Sequence, residues 1–276
     1  MDIVSGEMLL YPPSHKTTGL APCMNAQTIV MLRRGDLIVE QKAFKRDKMQ
    51  NRQADSDIIK QIRSIKEALG QELLILTHHY QRDEIVNLGD YRGDSFGLSQ
   101  KAAADNAAMF IVFCGVHFMA ESAAILAQPH QRVQIPDLEA GCWMADMADI
   151  YIVEKAWNEV TSITGEDAVM PIVYMNSDAA LKAFCGHRGG AVCTSSNTPA
   201  AFRWAFGERE KILFFPDQHL GRNSANQMGI SPEEMIVWNP HKPLGGNTVD
   251  DIGKARVILW DGYCLVHTRF KVDHVL

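Results

Sequence analysis

The sequence predicts an α/β protein built from short parallel sheets with helices on both faces. Short apolar runs, among them Val169–Tyr174 and Lys211–Phe215, alternate with helix-like segments. Strands that are apolar along their whole length, rather than at every second residue, belong to sheets buried on both sides. Nearly every such run also ends in a loop rich in His, Cys, Tyr, Asn or Ser, and strand C-termini facing helix N-termini are where such folds place chemistry. At 276 residues and 46% hydrophobic the chain can bury a sizeable core, enough for about two domains of ordinary size.

Residues 1–55 read as an irregular N-terminal extension, with Pro12-Pro13, one short strand at 36–40, and a basic stretch from Arg46 to Arg52. Order is expected to begin at Ser56, an N-cap with Asp57 in the first turn. Ile58, Ile62, Ile65 and Leu69 then share one helix face, and Gly70 stands at the C′ position. The strand Glu72–Leu76 runs into THHYQ, and Gly93-Asp94-Ser95 caps a helix through Ala104. Met109–Phe113 is a strand entering CGVHFMAE, and Phe118–Ala127 a helix. Arg132–Ile135 opens the stretch VQIPDLEAGCWMADM, where a strand breaks at Pro136 and lays Asp137, Glu139 and Cys142 on a loop before a helix-like segment.

The pattern then repeats. Val169–Tyr174 ends in Asn176-Ser177-Asp178, which caps a helix through Phe184. Ala191-Val192 leads into CTSSN and a helix through Phe206. Lys211–Phe215 ends in PDQHLGR, and Arg256–Leu259 ends in WDGYCLVH. Between them Met228–Lys254, rich in Pro, Gly and Asn, reads as a surface excursion. Gly245-Gly246 reads there as a plain turn rather than a phosphate loop, since no Lys-Ser/Thr follows.

The net charge is −6 with both signs interspersed, unlike the clustered basic footprint of a nucleic-acid or anionic-membrane binder. No apolar run approaches the roughly 20 residues of a membrane span, and no signal-peptide core is visible. The expectation is a soluble cytoplasmic protein. Six scattered cysteines, Cys23, Cys114, Cys142, Cys185, Cys193 and Cys264, form no CxxC pair, so neither a secreted disulfide framework nor a zinc ribbon is expected. Taken singly, each is as well read as a small buried apolar residue. The strand ends nevertheless collect His78, His79, Tyr80, Cys114, His117, Cys142, Tyr174, Asn176, Ser195, Ser196, His219, Cys264 and His267, which points to an active site.

Eight motifs in order, HHYQ (78–81), GDS (93–95), FCGVHFMAE (113–121), PDLEAGC (136–142), YMNS (174–177), CTSSN (193–197), PDQHLGR (216–222) and WDGYCLVH (260–267), resemble the quinolinate synthase family across residues 56–276. The resemblance implies three similar three-layer α/β/α domains around a pseudo-threefold axis, about two repeats of which are present, at 56–148 and 149–270. Residues 271–276 would begin a third, carrying an HPE motif, a GST motif and a third cysteine ligand, none of which occurs in these 276 residues. Faces that such a domain would cover are expected to be exposed and to make the isolated chain poorly soluble.

The implied reaction condenses iminoaspartate with dihydroxyacetone phosphate to quinolinate, in NAD biosynthesis, on a [4Fe–4S] cluster whose open iron acts as a Lewis acid. An iminoaspartate-supplying enzyme is a possible partner, while nucleic acid and membrane are not expected. By position, Cys142 and Cys264 match the cluster ligands, whereas Cys114, Cys185 and Cys193 do not. His78 and Tyr80 match one substrate motif, Ser95 a second, Tyr174 and Asn176 a third, and Ser195 a fourth; Tyr80, Tyr174 and His78 are the proton-transfer candidates. Ser95, Asn176 and Ser195 fall at or near helix N-termini, where backbone N–H groups can help to hold anions. His267 and His219 are either supports near the site or histidines satisfied by backbone carbonyls, and Asp137 and Glu139 read as loop caps. Two other readings stay open: a cluster-free α/β lyase, and a non-catalytic remnant that binds a dicarboxylate.

Overall fold

The computed structural model describes residues 48–274, with side chains from Asp55 onward. The strand expected at 36–40, most of the N-terminal extension and Cys23 lie outside the described residues. Helix α1 (Lys48–Leu69) opens the described chain. It starts well before Ser56, which is therefore interior rather than an N-cap: the segment KMQNRQAD contains no Gly or Pro and several strong helix formers, so nothing interrupts the helix. Gly70 ends it with φ at +51°, the left-handed conformation expected of a C′ glycine.

Four strands and four helices follow: β1 (Leu73–His78), α2 (Asp83–Val86), β2 (Tyr91–Gly93), α3 (Ser95–Ala104), β3 (Phe110–Cys114), α4 (His117–Leu126), β4 (Arg132–Gln134) and α5 (Trp143–Asp146). The second series is α6 (Ile150–Thr164), β5 (Val169–Tyr174), α7 (Ala179–His187), β6 (Ala191–Cys193), α8 (Thr198–Glu208), β7 (Lys211–Phe215), α9 (Gln218–Gln227), β8 (Met235–Trp238), α10 (Val249–Lys254) and β9 (Val257–Trp260). One sheet has the order β2-β1-β3-β4 and the other β6-β5-β7-β9-β8, with every neighbouring pair parallel. The expected fold class is therefore the observed one.

Burial explains the unbroken apolar strands. β7 is buried from end to end: Leu213 and Phe215 join one core with Trp157 and Trp260, while Ile212 and Phe214 join the opposite core with Phe202 and Leu259. Helices thus cover both faces of the second sheet. The first sheet packs Leu74, Leu76, Ile111 and Phe113 against Leu98 of α3 and Phe118 of α4. Even the charged end of β7 is used, since Lys211 Nζ donates to the Gly253 and Ala255 carbonyls at 2.7 Å each, satisfying the C-terminus of α10.

Two features depart from the sequence expectations. Residues 228–254 are not a mere surface excursion: Met235–Trp238 forms the edge strand β8, and Trp238 is only 2% exposed. Four apolar residues between Pro- and Gly-rich segments are too short a run to announce a strand. The Gly245-Gly246 turn is present as expected, and it is built for that tryptophan: at Gly245 φ is +64° and a Cβ would strike the Trp238 ring. Helix α6, absent from the sequence reading, starts at Asp149, whose Oδ1 accepts the Tyr151 N–H at 2.9 Å, and buries Val153, Ala156, Trp157 and Val160.

The topology locates the site. From β1 the chain goes outward to β2, then returns across β1 to β3; β5, β6 and β7 repeat the move. A crevice opens outside the strand carboxyl ends at such a reversal, here at the ends of β1 and β3 and of β5 and β7.

Close strand approach is tested at Gly190, just before β6, where a Cβ would strike the Pro171 carbonyl oxygen of β5. Gly190→Ala is expected to cost about 3 kcal/mol, read as a lower denaturation midpoint at unchanged slope. Gly207→Ala, a helix position with open space around it, is expected to be neutral or mildly stabilising.

Candidate active site

Two thiols, Cys142 and Cys264, lie in loops beyond the carboxyl ends of β4 and β9. Cys142 is the N-cap of α5, and the Met144 and Ala145 N–H groups favour its thiolate. Burial outweighs them and pushes the Cys142 thiol up, and the neighbouring Cys264 and Asp146 push the same way. Cys264, four residues beyond the end of β9, is thus near enough to Cys142 for its charge to be felt there. The pair is held by a bond further back, in which Trp260 Nε1 of β9 donates to the Met147 carbonyl at the end of α5, at 2.7 Å. Asp261 is fixed in turn by Gln218 Nε2 at 2.8 Å and Asn239 Nδ2 at 3.0 Å.

Beside the thiols stand an imidazole and two phenols. His78, the last residue of β1, is 6% exposed, and its ring lies 3.9 Å from that of Tyr80 and 4.2 Å from that of His79. Burial, reinforced by His79, lowers its pKa to about 4, with Asp94 opposing, so the ring is neutral near pH 7. The Tyr80 N–H approaches His78 Nδ1 at 3.4 Å, which assigns the ring proton to Nε2. Burial and the nearby Cys142 push Tyr80 up to about 12. Tyr174, at the end of β5, is also pushed up to about 12: burial dominates, Asp217, Cys193 and Cys142 add to it, and a hydrogen bond with Ser195 opposes it. Both phenols are therefore protonated donors.

Of the sequence-predicted residues, the structure thus links His78, Tyr80, Cys142, Cys264, Tyr174 and Ser195 into one group. Ser95 is placed beside it, two residues after Gly93, which pairs with His78 across β1 and β2. Asn176 lies two residues past Tyr174 on the same loop. At the N-termini of α3 and α7 a carboxylate already takes one helix N–H. Asp94 Oδ1 accepts the Gly97 N–H of α3 at 2.7 Å, and Glu121 Oε2 accepts the Ala179 N–H of α7 at 2.9 Å. The α8 end, beside Ser195, has the neutral Asn197 as its N-cap.

Cys185 and Cys193 are buried in the cores of the second sheet, and Cys193 receives the Thr198 hydroxyl at 3.5 Å. Cys114, at the end of β3, is pushed up to about 11 by burial alone. Asp137 Oδ1 accepts the Glu139 N–H at 2.9 Å, a loop cap. The His219 backbone N–H donates to the Asp217 carboxylate at 2.8 Å, and His267 is exposed, with its ring 6.1 Å from that of Phe270.

A charged network was missed by sequence reasoning. His117 and Glu121 of α4, Asp178 before α7, Lys182 of α7 and Asp146 of α5 converge beside an open cavity of about 280 Å³ that Cys142 also lines. His117, Glu121 and Asp178 place one donor atom each within 4.8 Å of one another. Lys182 already serves as their counter-cation and Glu121 is engaged by Ala179, so we read a charge network rather than a cation site. The available signal was the spacing of His117 and Glu121, four apart and so on one face of α4.

A doubly wound α/β scaffold that brings thiols, phenols and a neutral imidazole to its strand ends has them where such folds place ligand sites. Residues 60–276 match the family described as quinolinate synthetase A protein. The quinolinate synthase of Corynebacterium glutamicum is 52% identical over 224 residues, covering 81% of this chain and 57% of the relative. That of Acidobacterium capsulatum is 53% identical over 222 residues, covering 80% and 59%. The chain belongs to the quinolinate synthetase A family, and it spans under three-fifths of the length of these curated relatives.

The buried neutral His78 has a pH signature. Its folded pKa lies below the ordinary 6.5, so the unfolded chain binds more protons between pH 6.5 and about 4. Its contribution to stability is present above pH 6.5 and lost as pH falls through that window. His78→Gln should flatten this part of the acid limb when denaturation midpoints are followed against pH; an unchanged limb contradicts the buried neutral ring.

Proposed function

We propose that residues 56–148 and 149–270 form two α/β domains of a quinolinate synthase, a transferase that condenses iminoaspartate with dihydroxyacetone phosphate to quinolinate. The observation that supports this reading is that Cys142 feels the charge of Cys264 from the other sheet and itself acts on Tyr80 and Tyr174. The donor set fits iron. Burial discourages a free thiolate at Cys142, and coordination to a thiophilic metal is what stabilises one there. Cys142 and Cys264 would supply two of the thiolates of a [4Fe–4S] cluster, which when bound supplies a Lewis-acidic iron for dehydration and ring closure.

The chain's own residues supply orientation and protons. His78 donates from Nε2, because Nδ1 faces the Tyr80 N–H, and with a pKa near 4 it serves as a hydrogen-bond donor rather than a base at neutral pH. The Tyr80 and Tyr174 hydroxyls, protonated to about pH 12, donate to carboxylate or carbonyl oxygens and can pass a proton to a developing oxyanion. Ser95, Asn176 and Ser195 add neutral donors for carboxylates and phosphate. The same reading makes the protein cytoplasmic and served by an iminoaspartate-supplying enzyme. It calls for no nucleic-acid or membrane partner, in keeping with the net charge of −6. No helix among the described residues is long and apolar enough to cross a membrane.

Anaerobic reconstitution with iron and sulfide tests the assignment. Cys142→Ser and Cys264→Ser are each expected to abolish most of the bound iron and the thiolate-to-iron absorption, and Cys114→Ser to leave both intact. Loss of iron on Cys114→Ser, or its retention on Cys142→Ser, overturns the assignment. Quinolinate formation by iron-free protein in air would instead favour a cluster-free lyase.

A further inference from the structure

The loop Tyr174–Asp178 carries two of the assigned substrate residues, and its shape is imposed from outside. Asp178 is the N-cap of α7 but makes no side-chain capping bond. The orphan Ala179 N–H is satisfied instead by Glu121 of α4, on the other sheet. Lys182, one turn into α7, returns Nζ to the Ser177 carbonyl while standing 5.5 Å over the Phe118 ring of α4. Ser177 is fully buried and turns its hydroxyl back to the Tyr174 carbonyl at 2.8 Å. Ser122, next to Glu121, meets the sulfur of Met175 at 3.9 Å. Buried backbone groups left without partners are costly, so removing either charged side chain strands a loop N–H or C=O.

We propose that Glu121 and Lys182 form a clamp between the sheets that positions Tyr174 and Asn176 and keeps their loop receptive to an anionic substrate. The inference rests on the proposed function for the identity of that substrate. Its two halves differ in kind. Glu121 is a geometric stop, holding the first turn of α7. Lys182 also sets the charge: it faces Glu121 and Asp178, with His117 and Asp146 acting on Asp178 from α4 and α5. With its ammonium in place, the Glu121–Asp178–Lys182 set carries one net negative charge; without it, two. Burial, opposed by Glu121 and Asp178, brings the Lys182 pKa down to about 8, so this balance shifts just above neutrality.

Stability and binding should move in opposite directions there. The folded pKa lies below the ordinary 10.5, so from about pH 8 to 10.5 the unfolded chain binds more protons, and the contribution of Lys182 to stability rises with pH. Dicarboxylate affinity should fall over the same range, as the compensating charge is lost. A fall in binding above pH 8 is therefore not unfolding caused by this group.

The test uses the full chain, with quinolinate as the dicarboxylate probe in calorimetry well below and well above pH 8, and hydrogen exchange of residues 174–182 at one neutral pH. Wild type is expected to lose about tenfold in affinity above pH 8, equivalent to about 1.4 kcal/mol. Lys182→Arg should hold its affinity across the range, and Lys182→Met should bind weakly and equally at both. Lys182→Met and Glu121→Gln should each raise exchange across 174–182 while β7 stays protected. A wild-type pH dependence in Lys182→Met, or unchanged exchange in both variants, overturns the clamp. Loss of binding in Asn176→Ala with full binding in Lys182→Met overturns the clamp and leaves the site; absence of quinolinate binding by the wild-type chain overturns both.

Discussion

The hydrogen bond from Trp260 Nε1 to the Met147 carbonyl is the contact on which the site depends. Trp260 is fully buried at the end of β9, where an indole N–H without an acceptor would be costly. The acceptor it finds is the C-cap residue of α5, whose N-cap is Cys142. Four residues past Trp260 comes Cys264. One bond, made by a member of the core that also holds Phe215, Trp157 and Ala148, therefore ties the helix that follows one thiol to the strand that leads to the other. Close in sequence to the thiols, Leu138, Trp143 and Val266 are all more than 60% exposed.

The charge states around those thiols follow one rule. Burial raises the phenols and the Cys142 thiol and lowers the imidazole, so each resists the charged form. The result is a recess of neutral donors that carries little charge of its own. A cationic metal and an anionic substrate suit such a recess better together than either does alone, because each offsets the desolvation of the other. Carboxylates border the recess, Asp94 acting on His78 and Asp217 on Tyr174, while Lys182 partly offsets Glu121 and Asp178.

Much of the fold was legible because its strands are apolar on both faces. Val169–Tyr174 and Lys211–Phe215 coincide with β5 and β7, since a fully buried strand leaves no alternating pattern to blur its ends. Elements that lean on their neighbours were harder to read. β2 has only three residues, none of them buried, and β8 is four residues at a sheet edge. The start of α1 was misplaced because Ser56-Asp57 offered a local cap that a longer helix simply absorbed. At the site, motif residues were visible singly, but Glu121 and Lys182 act through the backbone of a loop 58 and 5 residues away. Helix periodicity cannot show a contact of that kind when the capped turn belongs to another sheet.

The strand orders supply the connection that those fragments lack. β5, β6 and β7 repeat the arrangement of β1, β2 and β3, and β9 occupies the place of β4, with β8 added outside it. Once β8 is set aside, the chemistry falls into register. His78 and Tyr174 each end the first strand of a repeat, while Ser95 and Ser195 each follow the second strand. His117 and His219 open the helices after the third. Cys142 and Cys264 occupy the loops after β4 and β9, the strands adjoining that third strand. Each thiol thus owes its place to a shared topological position, which Cys114, beside His117, does not occupy. It ends the third strand itself, where the repeat offers Phe215, a core residue. The two thiols therefore stand at equivalent positions of two parallel sheets, each in the loop after the strand that adjoins the third.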